Sequence, residues 1–247
     1  MAKIFNLHNP EHQGVIREMI QNQYVLWLDV EMRKVDDEPA LVGYIPIGTM
    51  LSNVRHVLCD PNLQDVAAFK GLPHVSWGEF VCLVVVPVIE AGGLVAAYSE
   101  HERELIEEVL LDLDRPDMVD RMLYLDCNAK ECFRQHRLGE LRRIRRVIQR
   151  RYDRGLIARK HRPGLKDFLM SNGTTYDYPK YLRDFSPASA LCFIRPQARL
   201  RHPRFWSRSA KRKFAELLTY NEHDVRGMKQ LTLELMQVGL VPDANVN

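Results

Sequence analysis

Three short apolar runs near the start of the chain predict neighbouring β-strands. Residues 24–28 form a continuous run of β-prone apolar side chains, which is typical of a strand buried on both faces. Residues 41–50 and 54–59 give two more strand candidates, and the turn-prone Ser52 and Asn53 separate them. The pattern therefore predicts a three-stranded meander, and the first strand ends in Asp29, Val30 and Glu31.

The middle of the chain alternates between helix and strand signals. Residues 62–71 fit a helix, and residues 80–89 form a solid apolar run that fits a buried helix and a buried strand equally. Residues 94–98 and 121–127 are strand candidates. Ser99 is a good N-cap for the charged helix that follows, and Glu102 stands at the capping-box spacing from it. This alternation predicts an α/β sheet.

The C-terminal half predicts two longer helices. Residues 128–151 form an arginine-rich helical segment, whereas residues 154–209 show little periodicity apart from a short helix candidate at 163–169. Apolar residues recur at three- and four-residue steps over residues 209–238, which indicates a long amphipathic helix. Asn221 and Asp224 fall on its apolar stripe, where a carboxylate needs a partner or a metal ion.

The composition is that of an ordinary globular chain, but its charge is unevenly distributed. The 247 residues are 46% apolar and 27% charged, so we expect a single domain over residues 1–247 with its core at about 24–238. The net charge of +3 conceals a basic block, because residues 134–213 carry 23 Lys and Arg against 5 Asp and Glu. The remainder carries 12 against 27. Such a block favours contact with a polyanion.

The cysteines and the most apolar segment bear on the cellular compartment. The five cysteines show no CxxC spacing, so neither a zinc module nor a disulfide framework is indicated. Residues 1–13 lack the apolar core of a signal peptide. Residues 80–97 contain Pro87, Glu90 and a pair of glycines, and they fall short of a membrane span. We therefore expect a cytoplasmic protein that makes no membrane contact; the oligomeric state stays open.

Two acidic motifs carry the candidate chemistry. Residues two apart in a strand point to the same face, so Asp29 and Glu31 present two carboxylates side by side. Like charges that close are unfavourable unless a cation bridges them, and oxygen-rich sites suit Mg²⁺ or Mn²⁺. In the last predicted helix, Tyr220 and Asp224 lie one turn apart on a shared face. A phenol there can orient a water beside a metal-binding carboxylate.

Taken in order, these motifs resemble those of the DEDD superfamily of 3′-to-5′ exonucleases, which have an RNase H-like fold. The family's first strand ends in Asp-x-Glu, as at Asp29 and Glu31, and its last helix carries Tyr-x-x-x-Asp, as at Tyr220 and Asp224. This third motif is especially similar to that of bacterial RNase H-like exonuclease families. Glu102 occupies the place of the second motif, an acid at the start of the helix after the fourth strand, where the family usually has Asp.

The resemblance implies a fold, a mechanism and a set of cofactors. The fold would be an RNase H-like mixed sheet flanked by helices, with residues 134–213 as a basic insertion between the second and third acid motifs. Two divalent ions, Mg²⁺ or Mn²⁺, about 4 Å apart would support hydrolysis of DNA or RNA phosphodiesters. Asp29 would bridge both ions, Glu31, Glu102 and Asp224 would complete their coordination, and Tyr220 would position the attacking water.

The basic block would hold the nucleic acid, most simply a single-stranded end. Phosphate contacts from Lys and Arg give affinity that is largely independent of sequence and sensitive to salt, and aromatic faces can stack on unpaired bases. The aromatic candidates are Tyr176, Tyr178, Tyr181, Phe205 and Trp206. The expected nucleic-acid-binding residues are Arg142, Arg143, Arg146, Arg150 and Lys166.

Two other functions fit the same residues. Glu102 stands where the family has Asp and His101 where it has an aromatic residue, so the chain could be a catalytically inactive nucleic-acid-binding protein on an RNase H-like scaffold. The triplets at residues 100–102 and 222–224 each place a histidine between two acids, which is a weaker indication of a His/carboxylate metal site for unrelated hydrolysis. Convergence of Asp29, Glu31, Glu102 and Asp224 in the folded chain would favour the nuclease.

Overall fold

A mixed β-sheet lies at the centre of the protein. The computed structural model describes residues 2–33, 38–49, 53–157, 161–171 and 174–238. The strands in these ranges are β1 Lys3–Asn6, β2 Val25–Glu31, β3 Leu41–Ile45, β4 Arg55–Leu58, β5 Leu94–Ala97 and β6 Leu123–Asp126. They form one six-stranded sheet within the described residues, in the order β1-β6-β5-β2-β3-β4.

The sheet combines an antiparallel half with a parallel half. β2, β3 and β4 pair antiparallel, with Gly43 between Asp29 on one side and His56 on the other, which confirms the predicted meander. β5 pairs parallel to β2, and β6 pairs parallel to β5. The carboxyl ends of β2, β5 and β6 therefore meet at one edge of the sheet. The predicted α/β class, with a mixed sheet flanked by helices, is confirmed.

Helices surround the sheet on both faces. Short 3₁₀ helices span Pro61–Leu63, Lys180–Leu182 and Pro203–Phe205, and a π-helix spans Val81–Val85. The α-helices of the described residues are α1 Pro10–Gln21, α2 Gln64–Lys70, α3 Trp77–Phe80, α4 Val86–Glu90, α5 Glu100–Asp112, α6 Pro116–Arg121, α7 Lys130–His136, α8 Leu138–Asp153, α9 Leu165–Leu169, α10 Pro187–Leu200 and α11 Arg208–Val238. α9 and α11 match the helices predicted at residues 163–169 and 209–238.

Side chains of β2 alternate between two apolar cores. Val25 and Trp27 pack in a core that includes side chains of α1, α7, α8, α9 and α11. Leu26 and Leu28 pack in a second core with α3, α4, α5 and α6. Because side chains alternate along a strand, Asp29 lies on the same face as Trp27, the face that α11 covers. A third cluster joins α2 and α10 to α11.

The apolar run at residues 80–89 is helical rather than extended. Ser76 and Glu79 form a capping box at the start of α3, and the π-helix and α4 continue the helical path. Phe80, Val81 and Val85 are buried in the second core, whereas Cys82, Leu83 and Pro87 are exposed. The exposed face of this helical stretch is therefore itself apolar, so the run has no polar stripe. Among the described residues, no helix is long and apolar enough to cross a membrane.

The N-terminal segment contains two elements that the apolar pattern does not predict. β1 pairs parallel with β6 at the edge of the sheet. α1 buries only Ile16, so its apolar stripe is too narrow to stand out. A different signal marks its start: Asn9 accepts a hydrogen bond from the backbone of Glu11 at 3.1 Å, and Pro10 occupies the first turn.

The basic block also differs from its sequence prediction. The helix predicted at residues 128–151 is divided into α7 and α8 at Arg137. α10 lies within residues 154–209, which show little periodicity, because the helix contains Pro196 and buries a stripe of only a few residues. Ser186 caps it, and Arg195 pairs with the buried Asp60. Tertiary contacts therefore specify α10 more than its own pattern does.

Candidate metal centre

Three carboxylates from the two ends of the chain converge at the end of β2. Asp29 and Glu31 come from β2, and Asp224 comes from α11. One ligand atom from each lies within 4.8 Å of the others, an arrangement that could hold a metal ion. Glu31 and Asp224 are buried, and Asp29 is half-buried. Of the residues predicted as metal ligands, these three are brought together.

Asn221 joins α11 directly to β2. Its Nδ2 donates hydrogen bonds to Asp29 Oδ2 at 2.7 Å and to the Asp29 carbonyl oxygen at 3.2 Å. The Asn221 side chain is fully buried, and its Oδ1 has no hydrogen-bond partner within the described chain. A buried amide oxygen without a partner is costly, and no donor among the described residues offsets this cost.

Gly43 makes room for this amide on β3. A Cβ atom at position 43 would overlap Asn221 Oδ1 and would lie 2.8 Å from Asn221 Cγ. Gly43 is the strand partner of Asp29, so the amide lies over the backbone of β3 beside the carboxylate that it binds. The absence of a side chain at this position therefore allows α11 to approach the end of β2.

Asp224 is surrounded by hydroxyl donors and one cation. Tyr178 Oη donates a hydrogen bond to Asp224 Oδ1 at 2.9 Å, and Tyr220 forms a second hydrogen bond to the same carboxylate. Burial raises the pKa of Asp224 to about 6, while the two tyrosine hydrogen bonds and the charge of Lys166 act to lower it. Asp224 therefore gains a proton more easily than an exposed aspartate.

The two acids of β2 are also perturbed. Burial raises the pKa of Asp29 well above its usual range, and the charges of Asp224 and Glu102 raise it further. Burial likewise raises the pKa of Glu31, with the charges of Asp29 and Asp224 adding to the effect. The two carboxyl groups are close enough to share a hydrogen bond once one of them is protonated. A bound cation would offset this repulsion, whereas without one the cluster retains protons.

Glu102 lies near the triad but is engaged with its own helix. Ser99 Oγ contacts Glu102 Oε2, and the Ser99 backbone also hydrogen-bonds to the Glu102 carboxylate. The predicted N-cap at Ser99 is confirmed, but its Oγ accepts from the backbone of His101 rather than from that of Glu102, so the capping box is incomplete. Burial raises the pKa of Glu102, and these Ser99 contacts oppose the increase. The charge of Glu102 raises the pKa values of Asp29 and Glu31. Glu102 is nevertheless not among the three acids whose ligand atoms lie within 4.8 Å of one another.

The remaining polar residues of the motifs lie around the acids. The Tyr220 ring is buried, and Lys166 Nζ lies 5.0 Å from its centroid. His223 Nδ1 lies 2.8 Å from Tyr176 Oη, and His101 Nε2 lies 3.3 Å from Met32 Sδ. Neither histidine belongs to the acid cluster found in the described part of the chain.

A cavity opens from Asp224 toward the basic block. This inner cavity, of about 370 Å³, is lined by Asp224, Tyr220, Lys166, Arg151 and Arg183, among others. The residues predicted to bind nucleic acid therefore lie in three different places. Lys166 lines the inner cavity, and Arg143, Arg146 and Arg150 line a second cavity beside it. Arg142 is exposed on α8 and lines neither cavity.

The predicted stacking aromatics do not form one surface. Tyr178 and Trp206 are buried in the apolar cores and cannot stack on bases, which corrects the sequence expectation for both. Tyr178 instead contacts Asp224 through its hydroxyl group. Tyr181 and Phe205 are 68% and 60% exposed.

Three residues of the site are missing from the set predicted by sequence. Asn221 gives a partial signal, because a polar residue interrupts the apolar stripe of α11. Tyr178 gives none, since it comes from an irregular segment, and Gly43 resembles any other glycine in a strand.

Comparison of the chain with models of protein families, with curated proteins and with solved structures finds no match.

Proposed function

We propose that the protein is a metal-dependent nuclease on an RNase H-like scaffold, most consistent with a 3′-to-5′ exonuclease of DNA or RNA. The convergence of Asp29, Glu31 and Asp224 within 4.8 Å is the observation that carries the proposal. These acids come from positions far apart in the sequence, on a strand and a helix that belong to different motifs of the resemblance. Acids without a shared role would not be expected to converge in a buried site, because burying several like charges costs free energy.

The strand order supports the same proposal. β2, which ends in the first acid motif, lies inside the sheet next to β5. The chain passes from β5 directly into α5, whose first turn carries Glu102. The parallel pairing of β2 and β5 therefore explains why the second motif approaches the first, as the resemblance to the DEDD exonucleases requires.

The residues present fit Mg²⁺ or Mn²⁺. Hard divalent cations prefer carboxylate oxygens, and Asp29, Glu31 and Asp224 offer such oxygens together, with Glu102 near enough to affect their pKa values. The unpartnered Oδ1 of Asn221 adds a buried acceptor beside them. Bound ions would supply Lewis-acid activation of water and stabilisation of the leaving oxygen.

The protein's own side chains would prepare this site. Asn221 holds the Asp29 carboxylate by a 2.7 Å hydrogen bond and so restricts its rotation. Tyr178 and Tyr220 donate to Asp224 and favour its ionised form. Lys166 adds positive charge where the inner cavity meets the acids, which favours entry of a phosphate.

The decisive experiment compares the wild-type protein with Asp29→Asn on end-labelled single-stranded DNA and RNA, with Mg²⁺, Mn²⁺ or EDTA. We expect turnover that requires the metal and falls by at least about 100-fold in the variant, because a few kcal/mol of transition-state stabilisation are lost. Labels at the 5′ end would show a ladder of shortened products if digestion starts from the 3′ end.

Asp126→Asn is the matched control for this experiment. Asp126 ends the neighbouring strand β6, and its Oδ1 accepts a hydrogen bond from the backbone of Asn128 at 2.9 Å. The same chemical change at this position should leave turnover within about threefold of wild type. Equal activity of the Asp29 variant and wild type, or no cleavage by either, would refute the nuclease proposal.

One observation favours a second candidate, a nucleic-acid-binding protein without catalysis. Glu102 stands where the resemblance expects Asp, and its carboxylate is engaged by Ser99. A ligand committed to capping α5 would leave the metal site incomplete. This candidate predicts salt-sensitive binding of nucleic acid that is unaffected by Asp29→Asn and by metal ions. If the longer side chain of Glu102 is the only reason for the lack of catalysis, Glu102→Asp should create nuclease activity or raise it strongly.

A further inference from the structure

Two adjoining cavities connect the acid centre with the outer face of α8. The inner cavity reaches Asp224 and Tyr220. The outer cavity, of about 350 Å³, is lined by Arg143, Arg146, Arg150 and Arg183, together with apolar side chains of α8 and Met170, which follows α9. Asp167 and Arg183 line both cavities, so the two are neighbours.

The outer cavity carries an excess of positive charge. Four arginines line it against two acids, Glu140 and Asp167, and Glu140 lies 3.3 Å from Arg143. Arg146, Arg150 and Arg183 form no ion pair with any carboxylate of the described residues. Three guanidinium groups that face one concave surface without counter-charges favour an anionic ligand.

The spacing of the arginines suits a ligand with several charges. Arg143, Arg146 and Arg150 are three and four residues apart and therefore share one face of α8. With a rise of about 1.5 Å per residue, their Cα atoms span about 10 Å along the helix. Ile144, Val147 and Met170 line the same cavity. Their apolar surface is suited to sugar or base rather than to phosphate alone.

We propose that the outer cavity binds the phosphates of a single-stranded nucleic acid whose end occupies the acid centre. The inference rests on the proposed function, because it is the acid centre that fixes where the strand ends. Continuity through Arg183 and Asp167 supports one ligand that passes through both cavities. The shortest substrates would then reach the acids without filling the outer cavity, whereas longer strands would fill both.

This arrangement favours a polynucleotide over an acidic polypeptide. Guanidinium groups bind phosphates in a bidentate fashion, and the phosphates of one strand follow each other at regular intervals, as the arginines do along α8. The mixture of apolar and cationic lining matches the alternation of sugar, base and phosphate. An acidic peptide would offer carboxylates but no comparable apolar groups at each step.

The test measures binding of a labelled oligothymidylate and a labelled oligouridylate, each of about a dozen nucleotides, in EDTA so that metal-dependent cleavage cannot occur. The variant combines Arg143→Gln, Arg146→Gln and Arg150→Gln. We expect its affinity at 0.1 M salt to fall by about 100-fold, which is about fivefold for each lost phosphate contact. We also expect the slope of log affinity against log salt to decrease in magnitude by about 2, since each lost phosphate contact removes about 0.7.

Arg142→Gln is the matched control. Arg142 is exposed on the same helix and has the same charge, but it lines neither cavity. Its removal should change the affinity by less than about twofold, because a single exposed charge is screened by salt. If Arg142→Gln lowers the affinity as much as each substitution of the triple variant does on average, the whole helix attracts nucleic acid non-specifically. That result would overturn the assignment to the cavity.

A second measurement separates this inference from the proposed function. Hydrolysis of bis(p-nitrophenyl) phosphate with Mn²⁺ by the wild-type protein tests the acid centre with a substrate too small to span both cavities. If the wild-type protein hydrolyses this ester but the triple variant binds oligonucleotides as wild type does, the cavity assignment fails and the nuclease proposal stands. If binding falls as expected but no ester or oligonucleotide is cleaved, the cavity assignment stands and the nuclease proposal fails.

Two further outcomes would overturn the cavity assignment. One is the absence of oligonucleotide binding by the wild-type protein. The other is competition by polyglutamate of equal charge as effectively as by unlabelled oligonucleotide, which would indicate an acidic polypeptide as the ligand. Circular dichroism of the triple variant should match that of wild type, because all three side chains are exposed on the surface of α8.

Discussion

At the scale of single residues, the contact between Asn221 and Gly43 determines how closely α11 approaches β2. Gly43→Ala should lower the free energy of unfolding by about 1–3 kcal/mol, because the new methyl group overlaps the buried amide of Asn221. Chemical denaturation would measure the loss. Activity should fall as well, since the displaced amide can no longer hold Asp29.

The double variant Gly43→Ala with Asn221→Ala provides the control for this clash. Removing the amide should restore most of the stability lost in Gly43→Ala, because the methyl group then occupies vacated space. Activity should stay low, since Asp29 still lacks its hydrogen-bond donor. Additive losses of stability in the double variant would contradict the steric explanation.

Tyr178 is expected to tune the protonation of Asp224. Its hydroxyl donates to the carboxylate at 2.9 Å and acts to lower a pKa that burial raises to about 6. Tyr178→Phe removes this stabilisation of the ionised form, so the pKa of Asp224 should rise further. The acidic limb of the rate profile should therefore move to higher pH, which steady-state kinetics with Mn²⁺ would measure. Tyr181→Phe, at an exposed tyrosine nearby in sequence, should leave the limb in place.

At the scale of elements, a buried ion pair anchors α10 to the segment after β4. Asp60 is almost fully buried and accepts hydrogen bonds from the backbone and side chain of Asn62 in addition to its pair with Arg195. Arg195→Ala should cost about 2–4 kcal/mol of stability, because it leaves a buried carboxylate without its cation. Urea denaturation would measure this cost.

Arg199→Ala is the comparison for the α10 anchor. Arg199 lies one turn further along α10 and donates to Asn62 Oδ1 at 2.8 Å, but the contact is exposed. Its loss should cost less than about 1 kcal/mol. Similar effects of the two substitutions would show that the burial of Asp60 does not matter.

Elements with strong apolar periodicity could be predicted from the sequence. The meander of β2, β3 and β4, and the helix α11, bury continuous sets of apolar side chains, and their patterns are correspondingly clear. α1 buries one residue, and α10 contains Pro196, so neither has a comparable pattern. β1 depends on its pairing with β6, which lies more than a hundred residues away in sequence.

The candidate site was predictable only in part, for a related reason. Asp29, Glu31 and Asp224 follow a spacing that resembles a family motif, and the structure brings them together. Tyr178 reaches Asp224 from an irregular segment, and no local spacing encodes that contact. The role of Gly43 depends on what lies opposite it in three dimensions. Such properties belong to the packing of two elements and are absent from either element alone.

At the scale of the whole molecule, the acid cluster should make the metal-free protein less stable as pH rises. Asp224 has a pKa of about 6 in the folded protein against an ordinary value of 3.8, so the folded state binds more protons than the unfolded state between these values. The folded state therefore loses up to about 3 kcal/mol from this group as pH rises from 4 to 7. Mg²⁺ or Mn²⁺ should restore stability by binding only the folded cluster.

Thermal unfolding in EDTA at pH 5 and pH 8, with and without added Mn²⁺, would check this prediction. Burial lowers the pKa values of His56 and His223, so these two histidines make the folded protein more stable as the pH rises toward their ordinary pKa of 6.5. In that pH range they oppose the effect of the acid cluster. Asp224→Asn isolates the contribution of the acid, because it should raise the melting temperature at pH 8 in EDTA and abolish the Mn²⁺ effect. A variant less stable than wild type at pH 8 in EDTA would contradict the expected sign.

The hydrogen bond between Asn221 and Asp29 has a consequence for the order of biosynthesis. The two residues are 192 positions apart, so β2 emerges from the ribosome long before α11. Until α11 arrives, Asp29 and Glu31 lack the third carboxylate, and the apolar side chains that later contact Phe214, Leu217 and Val225 stay exposed. Nascent chains therefore cannot carry a complete acid centre. A fragment that stops before α11 should be inactive and bind chaperones, whereas the addition of α11 completes the acid centre and covers one apolar face of the sheet in the same step.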